Sequence, residues 1–261
     1  MSYSNIRFQA ENDGVSLITV DRPEKLNALN RDTMGELADA FNRVRDDAAI
    51  RGLIVTGAGE KAFVAGADIK ELAVLSPVEA QALSQRGQAI FRRLETMSKP
   101  SVAAINGFAL GGGLELAMSC TIRVAVPDAK LGQPEVKLGI VPGYGATQRL
   151  PRLVGRGRAL DMLISGELID SGEAHRIGLV NYIAPQEELL AFGRAWLHKV
   201  LANGPHAVAL TMQAVDVGLD CSLDQGLRFE AAAFGLTAAT EDRREGTSAF
   251  LEKRKPAFAG K

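Results

Sequence analysis

Residues 103–120 read AAINGFALGGGLELAMSC. The stretch SVAAING (101–107) has the composition of a buried strand, three consecutive glycines follow at Gly111 to Gly113, and LELAMS is a good helix start. A strand, a glycine loop and a helix make up the repeating element of an α/β protein. Three glycines in a row cost chain entropy and put free N–H groups at the positive end of the helix. A crowded backbone crossing is the competing explanation. Glu115 stands inside that helix among Leu114, Leu116, Ala117 and Met118. A carboxylate with apolar neighbours on both sides marks a functional group or a buried pair. The loop is not a nucleotide cradle. Leu116 occupies the last glycine position of G-x-G-x-x-G, and no G-x-x-x-x-G-K-[ST] occurs in the chain.

Outward from this stretch, strands and helices alternate. VSLITV (15–20), GLIVTG (52–57), IRVAV (122–126) and GLVNYI (178–183) read as strands, several of them apolar on both faces. Residues 31–46 place Met34, Leu37, Ala38, Phe41 and Val44 on one helical stripe. Residues 77–96 do the same with Ala80, Leu83, Ile90, Phe91 and Leu94, opened by Ser76 and Pro77 as cap and first helical residue. The fold class is α/β, with no repeat of fixed period. Beyond residue 186 strand signals stop, and helices are expected over 186–202, 205–217 and 222–238. Such a helical appendage commonly packs on a partner subunit, so an oligomer is expected.

Two further segments carry unusual residues. FVAGADIKEL (63–72) joins a strand to a helix through small residues that admit a ligand to the backbone amides, with Asp68 as the helix cap. KLGQPEVKLGIVPGYGATQRL (130–150) supplies a second carboxylate, Glu135, beside a loop containing Gly139, Pro142, Gly143 and Gly145. On local grounds Glu135 reads equally well as a solvated loop charge. The GYGATQ stretch precedes a helix and could aim amides at a ligand.

Composition excludes several classes. Across 261 residues, 30 basic and 31 acidic side chains leave a net charge of −1, and aromatics are 5%. Neither a general polyanion partner nor a stacking platform for bases is expected. Cys120 and Cys221 cannot form a disulfide framework and read as two buried thiols of a reduced, cytoplasmic protein. No secretory signal and no membrane-length apolar run is present. His175, His198 and His206 lack metal-ligand spacing, and no G-x-S-x-G elbow occurs.

Taken together, six blocks resemble the enoyl-CoA hydratase/isomerase (crotonase) superfamily over nearly the whole chain. They are VDRPEKLNALN (20–30), AFVAGADIKEL, AAINGFALGGGLELAMSC, LGQPEVKLGIVPGYGATQRL, ISGELIDSGEAHRIGLVNYI and EGTSAFLEKRKPAF (245–258). The resemblance implies a crotonase-type spiral of ββα units over 1–197. It also implies a helical region over 198–261 that drives assembly into a trimer or a dimer of trimers. The Ala67 and Gly112 N–H groups correspond to the oxyanion hole, and Glu115 and Glu135 to the two catalytic glutamates of hydratases. Gly143 corresponds to the glycine at the start of a helix whose dipole points at the thioester. Lys25, Ala65, Asp68, Ile69 and Lys70 fall where the adenosine phosphate of CoA is held. Phe250 and Lys253 correspond to C-terminal contacts with CoA, expected from a neighbouring subunit.

The resemblance thus implies reversible hydration of 2-trans-enoyl-CoA with no metal and no cofactor apart from the CoA of the substrate. Isomerisation or another thioester-enolate reaction is the alternative, since the oxyanion hole serves any such enolate. An RNA-binding relative would need a lysine-rich helix, but residues 31–47 hold acids and arginines and no lysine. Two positions depart from the family pattern: Thr121, where Asp is common, and Ala146, which replaces a frequent glycine. Pocket depth is expected to depend on residues 70–85 and 140–147.

Overall fold

The computed structural model describes residues 3–261. The chain opens with an antiparallel pair, β1 (Ile6–Ala10) and β2 (Val15–Val20), followed by helix α1 (Arg31–Asp46). A two-strands-then-helix pattern then runs three times. β3 (Gly52–Gly57) and β4 (Ala62–Val64) lead to α2 (Ile69–Leu72) and α3 (Pro77–Glu95); β5 (Ser101–Ile105) and β6 (Phe108–Leu110) lead to α4 (Gly112–Met118). β7 (Ile122–Ala125) and β8 (Lys130–Gly132) lead to a 3-10 turn at Pro134–Leu138 and then α5 (Ala146–Val154). Helix α6 (Arg156–Ser165), β9 (Leu168–Asp170), α7 (Ser171–Arg176), β10 (Tyr182–Ile183) and α8 (Leu189–Leu201) follow.

Each repeat sends its first strand to one sheet and its second strand to another. The larger sheet runs β1-β2-β3-β5-β7-β10, parallel from β2 onward, and the smaller runs β4-β6-β8-β9. Every residue of β3 is buried, which explains its unbroken apolar reading. Of the smaller sheet, the sequence shows only β4, as the strand that opens FVAGADIKEL, and misses β6, β8 and β9. Each has only three residues, too few for a periodicity to show.

The two early helices form as expected, with instructive differences. Asn30 caps α1 by accepting from the Thr33 N–H at 2.9 Å, and Ser76 and Glu79 close a capping box on α3. In α1 Ala40 rather than Ala38 completes the buried stripe. In α3 the stripe divides: Ile90, Phe91 and Leu94 enter the core, whereas Ala80 and Leu83 line a cavity. The strand expected over 178–183 is cut to its last two residues, because the Leu179 and Val180 N–H groups bond to the Ala174 carbonyl and finish α7.

The described residues form two compact units, 3–195 and 196–261. The second holds α9 (Pro205–Leu219), α10 (Leu223–Ala238) and α11 (Glu241–Leu251), the last two capped by Ser222 and Thr240. Cys120 is buried as expected, but Cys221 is only half-buried, since it sits in the turn between α9 and α10.

Candidate active site

The smaller sheet positions the site. β4, β6 and β8 are parallel neighbours, so their carboxyl ends emerge along one edge. Ligand sites in parallel sheets form at such ends. The three segments singled out in the sequence therefore leave the sheet side by side: 65–68 after β4, 111–115 after β6 and 133–135 after β8. They enclose a cavity of about 600 Å3. Of the twelve residues assigned by resemblance, it is lined by Ala65, Ala67, Ile69, Gly112, Glu115, Glu135 and Gly143.

The backbone amides at this edge with no protein acceptor among the described residues include Ala67 N–H and Gly112 N–H. The first follows from a parallel bridge between Leu29 and Ala67. Leu29 donates to the Gly66 carbonyl and accepts from the Asp68 N–H, each at 2.8 Å, which turns the amide of Ala67 to the other side. The second belongs to the first residue of α4, where no intrahelical acceptor exists.

The three glycines are each explained. Gly111 has φ +49°, and a Cβ there would sit 2.7 Å from Glu135 Oε1. A Cβ on Gly113 would lie 1.9 Å from the Val64 carbonyl, so α4 can cross β4 this closely only with glycine. Gly112 carries the free amide.

Glu115 is 1% exposed. Its Oε1 accepts from the N–H groups of Tyr144 and Ala146, both at 2.8 Å, at the start of α5. Burial pushes its carboxyl up to about 7, against the pull of these amides and of the Arg149 charge. Arg149 also clamps this loop. Its Nη1 donates to the Tyr144 carbonyl at 2.7 Å, while Nε and Nη2 grip Glu95 at 2.5 and 2.9 Å.

Glu135 lies in the 3-10 turn after β8 and is held against Gly111. Burial, with the nearby Glu115 charge, pushes it up to about 7 as well. Gln133 is fully buried beside it. With its amide nitrogen turned to the carboxyl, it donates to both oxygens at 3.0 and 3.1 Å. A carboxyl raised by its neighbour's charge does not ionise cheaply beside it. The charge favours Glu115, which has the amides and Arg149, and the proton favours Glu135.

Gly143 and Asp68 make contacts within the protein that the resemblance does not imply. Gly143 precedes the helix: α5 begins at Ala146 with Gly145 as its cap, and the first amide of α5 goes to Glu115. The Gly143 carbonyl accepts from Ser84 Oγ at 2.6 Å and Gln88 Nε2 at 3.0 Å, which fixes the loop to α3. The Asp68 carboxylate is engaged within the protein, capping α2 through Lys70 N–H and pairing with Arg22 at 3.4 Å. Lys25 and Lys70 are exposed. Phe250 and Lys253 belong to the second unit, where Phe250 is fully open to solvent.

Both departures from the family pattern have a local account. Thr121 exchanges bonds with Ser101, giving its N–H to Ser101 Oγ and receiving the Ser101 N–H on its own Oγ1, each at 3.0 Å. Ala146 contributes its main-chain N–H, which a side chain does not alter. Sequence reading missed Tyr144, Gln133 and Arg149. Only the polarity of Gln133 beside Glu135 hinted at a role. No group of three or more His, Cys, Asp or Glu suited to a metal exists among the described residues, and none of their helices is long and apolar enough to cross a membrane.

An α/β fold with free amides, a buried carboxyl and a half-buried one at one sheet edge narrows the class of protein considerably. The sequence profile described as enoyl-CoA hydratase/isomerase matches residues 10–261, and the chain belongs to that family. Among its relatives, a crotonyl-CoA hydratase of Syntrophomonas wolfei is 49% identical, with all of both chains covered. A short-chain-enoyl-CoA hydratase of Clostridium acetobutylicum is 46% identical over 98% of this chain and 97% of its own. The crystal structure of an enoyl-CoA hydratase from Bacillus anthracis superposes with a TM-score of 0.94 at 38% identity, covering 99% of this chain and 100% of the other. The fold is therefore that of the crotonases.

Proposed function

We propose that the protein adds water reversibly to 2-trans-enoyl-CoA thioesters, giving 3-hydroxyacyl-CoA. The observation that carries this reading is the pairing of two carboxyls, one buried and one half-buried, with the unpaired amides of Ala67 and Gly112 in one cavity. Water does not add to a conjugated thioester unless charge on the carbonyl oxygen is stabilised as the enolate forms. Donors fixed in a site with little water contribute roughly 3 kcal/mol each to that. Ala67 and Gly112 supply them.

In the hydration direction Glu115 begins ionised and Glu135 protonated. The water oxygen bonds to C3 while its proton passes to Glu115. The C2–C3 π electrons move toward the thioester oxygen, and the enolate then takes the Glu135 proton at C2. Water has been added across the double bond, and the pair has exchanged its single proton, which returns to Glu135 before the next turnover. Oε1 of Glu115 is occupied by Tyr144 and Ala146, so Oε2 is the oxygen that faces the water.

We place the CoA phosphates near exposed Lys25 and Lys70, with Ile69 and Ala65 as the apolar approach, and we assign Phe250 and Lys253 to CoA contact from a neighbouring subunit. The reaction uses no cofactor beyond the CoA of its substrate. Assembly as a trimer or a dimer of trimers is supported by the second unit, which exposes Leu223, Phe234, Leu236 and Leu251. A cytoplasmic location completes the reading.

The test is turnover of crotonyl-CoA, followed as loss of its conjugated absorbance. Glu115→Gln and Glu135→Gln are each expected to lower kcat by about 100-fold or more with a modest effect on KM. Near-full activity in either variant would overturn the two-carboxyl mechanism.

A further inference from the structure

Two cavities meet at two side chains. Behind the acid–base cavity lies a second one of about 250 Å3, and Leu83 and Tyr144 line both. Met34, Ala82 and Gly87 form the apolar part of the second cavity, and charged groups including Glu71 and Arg86 also line it.

Tyr144 reaches from one cavity to the other. Its N–H holds Glu115 Oε1, so its main chain stands at the reacting centre. Its ring then passes between two glycines. A Cβ on Gly112 would lie 3.2 Å from ring Cδ2, and one on Gly87 would lie 2.2 Å from Cδ1. A glycine within a long helix is destabilising, and at Gly87 of α3 the tyrosine ring occupies the space a side chain would take. Phe91 braces the ring edge-on, with centroids 5.6 Å apart and planes at 83°. The charges of Glu71 and Arg86, both in the lining of the second cavity, act on the phenol. The ring is thus a fixed partition rather than a loose side chain.

We propose that Tyr144, with Leu83 beside it, is the stop that limits acyl-chain length, and that the cavity behind it is the room a longer chain would need. The inference rests on the thioester reading above. A substrate whose carbonyl oxygen lies on the Ala67 and Gly112 amides, with C3 against Glu115, has its tail directed toward the residue that holds Glu115. Short tails end against the ring, and longer ones collide with it.

The experiment is a chain-length series of 2-enoyl-CoA substrates, from four to twelve carbons, read as the ratio of kcat/KM at ten carbons to that at four. The wild type is expected to favour four carbons. Tyr144→Ala is expected to raise the ratio by roughly tenfold or more, since each methylene newly buried contributes about fourfold. Tyr144→Phe keeps the ring and is expected to keep the wild-type ratio. Taking a ratio cancels any general loss from loosening the donor to Glu115. If Tyr144→Ala does not fold, Leu83→Ala opens the same wall from α3 and is expected to shift the ratio in the same direction. An unchanged ratio in the folded variants, with four-carbon turnover retained, overturns the proposal. Failure of the wild type to turn over crotonyl-CoA at all would instead overturn the thioester reading.

Discussion

Two glycine-rich helix starts face the same cavity and use their amides in opposite ways. At α4 the Gly112 N–H has no protein acceptor, while at the start of α5 the N–H groups of Tyr144 and Ala146 are both engaged by Glu115. The electrostatics of the two starts are alike. What separates them is the reach of one side chain: Glu115 sits on the first turn of α4 and extends to α5. The carboxylate of one helix thereby absorbs the amides of the other and leaves those of its own helix for a ligand. In the proposed mechanism one start orients the base, and the other stabilises the charge the base creates.

This comparison breaks most visibly at Gly112. Proline is tolerated at a first helical position but has no N–H. Gly112→Pro is therefore expected to lower kcat about 100- to 1,000-fold relative to Gly112→Ala. The alanine variant is the reference because it adds the same Cβ beside Tyr144 while keeping the amide. Equal activity of the two variants, measured on crotonyl-CoA, would mean that the Gly112 amide does not act on the reaction.

A smaller effect sharpens the α5 side. Glu115 is raised from an ordinary 4.5 to about 7 in the folded protein. Between those values the unfolded chain has released this proton and the folded chain has kept it, so stability falls as pH rises through the window. Glutamine at 115 retains an acceptor for the two amides and never ionises. Glu115→Gln is thus expected to be more stable than the wild type near pH 8, by on the order of 1–3 kcal/mol, with the difference closing near pH 4.5. Thermal unfolding at the two pH values checks this. A wild type that gains stability over the same rise would show that the amides outweigh burial.

The sequence made some of this legible and hid the rest for physical reasons. Long elements such as β3, α1 and α3 show their burial in periodicity. Glu115 stood out because a charge inside an apolar helix start is anomalous by itself. Glu135 did not, since its burial comes from Gly111 packing against it, a contact between residues 24 apart in the chain. Of the three-residue strands that place the site, β4 shows only through the connection that follows it, and β6 and β8 are too short for a pattern to declare itself. Tyr144 was visible only as one letter of a glycine loop. Its role depends on Gly87, which lies on another helix.

Free amides serve any thioester enolate, so in the proposed mechanism the Ala67 and Gly112 amides define the class of chemistry while the glutamate pair selects hydration. The most direct test compares two substrates on the unmodified protein: hydration of crotonyl-CoA and movement of the double bond in a 3-enoyl-CoA of matched length. Two carboxyls sharing one proton predict hydration far faster than isomerisation. Isomerisation far faster than hydration would contradict the account and assign the pair to proton shuttling without water.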